Sequence, residues 1–156
     1  MTPEQRLEAL GIALPPAPRS AGTYAPAVEA AGFLFVSGQV PVRDGRPLLS
    51  GKVGREVTPE QAYEAARLCA VNGLAAAKAA LGSLGRIRRV VRTVGYVASA
   101  EGFTGQPSVV NGASDLLAEV FGKRGFGARA AVGVARRPHG GPRGVGLNGG
   151  GGGGRP

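Results

Sequence analysis

Arg129 stands near the start of an otherwise apolar run, Ala128 to Ala135 (ARAAVGVA). A guanidinium placed there is suited to gripping a carboxylate or phosphate through its planar fork of donors. The plainer role for such an arginine is a solvent-facing strand position or an internal salt bridge. A second apolar run, Phe33 to Pro41 (FLFVSGQVP), breaks into Ser37-Gly38-Gln39, so that a strand delivers polar atoms to one place. Gly38 there permits close backbone approach to a ligand and would serve a bulge equally well. Tyr24 offers a hydroxyl, with packing near a hairpin as its alternative; Asn111, early in a helix, either caps it or reaches a pocket.

These residues alone make no recognised catalytic constellation. The lone His139 lies in a Pro/Gly-rich stretch with no nearby cysteine or carboxylate, so a Ser-His-Asp triad has no base, and paired carboxylates are missing from the strands. GGPRGVG (140–146) lacks the lysine, hydroxyl and following helix of a phosphate loop. A single cysteine, Cys69, excludes an internal disulfide framework and a cysteine-rich metal site. Neither a metal nor a cofactor is expected.

The elements that must position these residues follow from local chemistry. Thr2 and Pro3 open a short helix that Gly11 stops. Tyr24 to Ala30 and Phe33 to Gln39 read as a hairpin around Ala31-Gly32, and Asp44-Gly45 marks another turn before a short strand at Arg46 to Leu49. Thr58-Pro59-Glu60-Gln61 supplies an N-cap, a proline at the first helical position and a capping-box glutamine. From there Ala62, Ala65, Ala66, Cys69, Gly73, Ala76 and Ala77 recur as a stripe of small residues that lets a helix lie close on a sheet, until Gly82. Ile87 to Ala98 is a strand apolar on both faces, Val109 to Phe121 a second helix, and Ala128 to Ala135 a further strand. The order predicts an α+β sheet with two long helices on one face, the other face covered by another copy of the chain.

At 156 residues the chain is one domain, modest for an enclosed pocket, which makes pockets shared between subunits attractive. The domain is expected to span 1–142. Residues 143–156, glycine-dominated and without an acid, form a tail expected to be disordered or out of frame. The net charge of +9 and pI near 11.0 would suit nucleic acid, but part of the excess comes from Arg136, Arg137, Arg143 and Arg155. Elsewhere only Arg86, Arg88, Arg89 and Arg92 cluster, and with 5% aromatic residues the chain has few base-stacking platforms, so nucleic acid is disfavoured. Acids in the opening MTPEQRLEALG and the lack of a long uncharged run argue against a secretory signal or membrane span and for a cytoplasmic protein.

Composition and pattern thus reach an oligomeric α+β domain with an arginine-centred anion site. The segments GTYAPAV (22–28), FLFVSGQVP (33–41), VVRTVGYVAS (90–99), VVNGASDLLAEVFG (109–122) and ARAAVGVARRP (128–138) together resemble the RidA family, also called YjgF/YER057c/UK114 and endoribonuclease L-PSP. The resemblance implies a chorismate-mutase-like fold, a homotrimer with a central barrel and inter-subunit ligand clefts. It also implies hydrolysis of reactive enamines and imines to 2-keto acids and ammonia. By position, Arg129 would hold the substrate carboxylate, backbone groups at Gly38 and Ala131 would orient it, and Ser37, Tyr24 and Asn111 would line the cleft, Tyr24 as the catalytic hydroxyl.

One departure stands out. The family's active deaminases carry a water-positioning glutamate on the last strand, and aligned from Arg129 it falls at Gly144, with its neighbour at Gly146. A single inserted cytosine turns codons for Pro-Val-Glu-Leu into codons for Pro142-Arg143-Gly144-Val145, which motivates the hypothesis that the chain leaves its frame after Pro142. Translation of the gene in the other frames tests it, since one of them must restore an alternating Val/Ile-Glu strand. The expected function is therefore an imine deaminase impaired at water activation. The rivals are non-catalytic binding of keto or amino acids and, third, endoribonuclease or translation-inhibitor activity.

Overall fold

A computed structural model describes residues 1–135 and the strand 145–153. His139, Gly144, the proposed boundary at Pro142 and the arginines at 136, 137, 143 and 155 lie outside the described residues. The order is α1 (Pro3–Ala9), β1 (Ala27–Ala30), β2 (Phe33–Gln39), β3 (Val42–Arg43), β4 (Arg46–Pro47), α2 (Pro59–Leu81), β5 (Ile87–Ala98), α3 (Gln106–Phe121), β6 (Ala128–Val134) and β7 (Val145–Gly153). The architecture is mixed α+β, with α2 and α3 on the same face of a five-stranded sheet ordered β1-β2-β7-β5-β6.

Capping chemistry places both N-terminal helix starts. Thr58 accepts from the Gln61 backbone N–H at 3.1 Å while the Gln61 side chain accepts from the Thr58 N–H at 3.0 Å, and Thr2 and Gln5 repeat the exchange in α1. The β1–β2 hairpin closes on Ala31 and Gly32 at φ 51° and 77°, the doubly left-handed turn that matches strand twist. The small stripe of α2 is buried as expected, with Ala62, Ala65, Ala66 and Cys69 at 0% exposure. Gly73 is its half-buried member. The predicted second helix begins three residues earlier than the periodicity indicated, with Pro107 in its first turn.

The two long helices touch closely. A Cβ on Gly112 would overlap the Tyr63 carbonyl oxygen, so glycine is what brings the α3 backbone against α2. Along this seam the Tyr63 phenol donates to Asp115 at 2.7 Å, and Arg67 pairs with Glu119 at 2.6 Å. The hydrogen bond to Asp115, with burial and the carboxylate charge, pushes the Tyr63 phenol up to about 12. Its neutral form is therefore favoured by folding: this contribution is complete below pH 10 and is lost as pH rises through about 12. Tyrosinate absorbance should show one ionisation near pH 12 that disappears in Tyr63→Phe; an unchanged titration curve would contradict the seam geometry.

Within the tail expected to be disordered or out of frame, the described residues 145–153 form β7 at the centre of the sheet, antiparallel to both β2 and β5. The reason is non-local. Without β7, the facing edges of β2 and β5 would leave their backbone groups unpaired, and a strand needs no side chain to supply those hydrogen bonds.

Candidate functional site

Strand register sets the direction of Arg129. It pairs across the parallel β5–β6 ladder with Thr93, which is 7% exposed beneath the helices, so both side chains project to the helix-covered face. β6 is an edge strand, and there the guanidinium stays exposed in the single chain, in the solvent-facing position that was the plainer of its two expected roles. Arg129 Nη1 donates to Asn111 Oδ1 at 2.6 Å and to Ser114 Oγ at 3.2 Å. No carboxylate pairs with Arg129 among the described residues.

This arrangement spends acceptors and leaves donors. Arginine cannot accept, so the Asn111 amide must turn its oxygen to the guanidinium and its NH₂ away. Ser114, having accepted, still has a hydrogen to give. With Nη2 and Nε, the cluster presents several N–H and O–H groups and a formal positive charge, which is the complement of an acceptor-only anion such as a carboxylate. Asn111 lies in the second turn of α3 and caps nothing. Ser114, one turn further on, escaped the sequence reading because a mid-helix serine carries no local signal; its i, i+3 spacing from Asn111 was the available clue.

Ser37 and Gly38 fall in a break of register between Val36 and Gln39 of β2, a bulge that releases both from the β2–β7 ladder while the Ser37 N–H donates to the Pro26 carbonyl at 2.9 Å. The Ser37 hydroxyl donates to the Ala25 carbonyl at 2.6 Å, and Gln39 Nε2 donates to the Ser37 carbonyl at 2.9 Å. Buried Asn72 of α2 fixes the chain just beyond, donating to the Val40 and Val42 carbonyls at 3.1 and 3.0 Å. Tyr24 is 54% exposed in the approach to β1, its hydroxyl accepting from the Ala21 N–H at 3.3 Å. Ala131 pairs with Gly95 and packs against the core two residues beyond Arg129.

The structure thus holds two separate groups. Arg129, Asn111, Ser114 and Ala131 lie at the β6 edge, whereas Tyr24, Ser37 and Gly38 lie at β1–β2. With β7 and β5 between them, three inter-strand steps separate the groups by roughly 14 Å. Among the described residues, no group of three or more His, Cys, Asp or Glu could hold a metal ion, and no helix is long and apolar enough to cross a membrane.

A mixed α+β sheet with two long helices on one face places the chain in the chorismate-mutase-like class. A family model described as "YjgF/chorismate mutase-like, putative endoribonuclease" matches residues 4–137. The chain belongs to this family, the YjgF or RidA family. It is 44% identical over 135 residues to Protein TCP17 of Trypanosoma cruzi, covering 86% of this chain and 84% of that protein. The crystal structure of protein Atu1372, of unknown function, from Agrobacterium tumefaciens is 43% identical with a TM-score of 0.89, covering 99% of this chain and 94% of that one. A structure described as a putative endoribonuclease from Shewanella oneidensis is 32% identical with a TM-score of 0.93, covering 97% and 99%.

Proposed function

We propose that this chain binds small 2-imino or 2-keto monocarboxylates at Arg129 and belongs to the hydrolytic deaminases of reactive enamines and imines. The observation that carries the reading is the donor-rich cluster: a guanidinium held by two neutral acceptors, with no carboxylate partner among the described residues. In the reaction, water adds to the C=N carbon of the protonated imine. The resulting carbinolamine loses ammonia as C=O forms, with no redox change. Arg129 would hold the carboxylate, and with it the C2 carbon, in place while water attacks.

A three-carbon acid on Arg129 is too short to reach Ser37, Gly38 or Tyr24 of the same chain. Those residues would act on it from a neighbouring copy. The sheet face away from the helices favours such an assembly. Val28, Phe33, Phe35 and Val132 are 49%, 41%, 54% and 41% exposed there, with Phe33 and Phe35 in ring contact at 6.2 Å. A homotrimer that buries this face and brings β6 of one copy to β1–β2 of the next is the assembly proposed.

Gly144 offers no carboxylate where the family resemblance calls for one, which favours binding over turnover in the chain as it stands. The test is ammonia release from freshly generated 2-iminopropionate, above the spontaneous rate, by the native chain and by Gly144→Glu. Release that rises about a hundredfold in the variant supports an impaired deaminase. Saturable pyruvate binding with no release by either form would make it a binding protein, and neither binding nor release would sink the reading. An RNA-directed role has less support, since Arg86 already pairs with Glu29 and Arg89 donates to the Phe126 carbonyl.

A further inference from the structure

We propose that Ser114 is a positioning residue that fixes the rotation of the Arg129 guanidinium and so selects which edge meets the ligand; the proposal rests on the anion-site reading above. Asn111 alone would hold Nη1 through one contact, about which the guanidinium could still swing. A second acceptor on the same nitrogen, Ser114 Oγ at 3.2 Å, removes that freedom. The two acceptors sit on successive turns of α3, a rigid element whose roll is set by the close approach of Gly112 to α2. Nη1 being occupied, the edge left for a ligand is Nη2 with Nε, two parallel donors that match the two oxygens of one coplanar carboxylate.

Selectivity follows from that geometry. A planar monocarboxylate uses both donors of the remaining edge, while inorganic phosphate, which could share Nη1 and Nη2 of an unrestrained guanidinium, loses that alternative. Ser114 would therefore act on ligand discrimination through Arg129 without itself touching the reacting atoms. Its half-buried hydroxyl also makes the effect separable from folding, because Ser→Ala at this site on a helix improves intrinsic helix propensity.

The experiment uses the full chain, with pyruvate and inorganic phosphate as probes and arginine-selective ¹⁵Nη NMR as a ligand-free readout. Ser114→Ala should weaken pyruvate binding about five- to twentyfold, narrow the preference for pyruvate over phosphate, and speed rotation of the Arg129 Nη1 group, with thermal stability retained. Ser114→Thr, which keeps the oxygen, should stay within about threefold of the native affinity. Unchanged Nη1 rotation together with unchanged pyruvate affinity in Ser114→Ala overturns the positioning role. If rotation changes but no form binds pyruvate, the anion-site reading fails, and the selectivity proposal with it.

Discussion

Arg129→Ala is expected to weaken pyruvate binding about a hundredfold or more, with the melting temperature nearly unchanged. In the proposed site the guanidinium would contribute two charge-assisted hydrogen bonds to a carboxylate, each stronger than a neutral one, and nothing else in the cluster carries a full positive charge. Stability is spared because the side chain is exposed and its partners, Asn111 and Ser114, are neutral groups that water can satisfy. Arg129→Lys keeps the charge and loses the fork, so it should recover only part of the affinity. Titration calorimetry decides the matter. Pyruvate affinity that survives Arg129→Ala would remove this residue from the site and transfer interest to the Tyr24, Ser37 and Gly38 group.

The second large effect concerns the frame behind that cluster. Gly112→Ala should destabilise the fold by about 3 kcal/mol or more, which for a chain of this size is a fall in melting temperature of about 6–12 °C. The new methyl meets a main-chain carbonyl of α2, and backbone cannot rotate aside as the end of a side chain can. Gly102→Ala makes the control. At φ 79° with no atom within 4 Å of the added carbon, it carries only the conformational cost of about 1–2 kcal/mol. Comparable melting temperatures for the two variants would mean that the helices are not in van der Waals contact at Gly112. Since Asn111 flanks this glycine and Ser114 lies on the next turn, the same substitution should also weaken pyruvate binding in whatever fraction remains folded.

What was legible in the sequence was the local chemistry. Thr58-Pro59 and Gly82 mark α2 because caps depend on neighbours a few residues away, and Ala31-Gly32 marks the hairpin for the same reason. Arg129 was legible as a candidate because a guanidinium near the start of an otherwise apolar strand is conspicuous, with a solvent-facing position as its plainer role. Ser114 was not, because its contact with Arg129 arises only when β6 is laid beside α3. Nor was β7: glycine has little intrinsic preference for a strand, and its place is dictated by two edges contributed from residues 33–39 and 87–98. The separation of the Ser37–Gly38 bulge from Arg129 was equally hidden, since strand order within a sheet is not written in strand sequence.

The central position of β7 has a mechanical consequence. Among the described residues, Val145–Gly153 is the strand that joins the β1–β2 hairpin to the β5–β6 pair, and five consecutive glycines of that strand, Gly149 to Gly153, lack side chains to lock it. Main-chain hydrogen bonds therefore form the seam, so the sheet should part there before either half loses its own pairing. Amide hydrogens of β7 would exchange with deuterium in one cooperative opening, at a lower free energy than those of β5. Because β2 carries Gly38 and β6 carries Arg129, that opening would also move the half-cleft a chain offers to one neighbour relative to the half-cleft it offers to another.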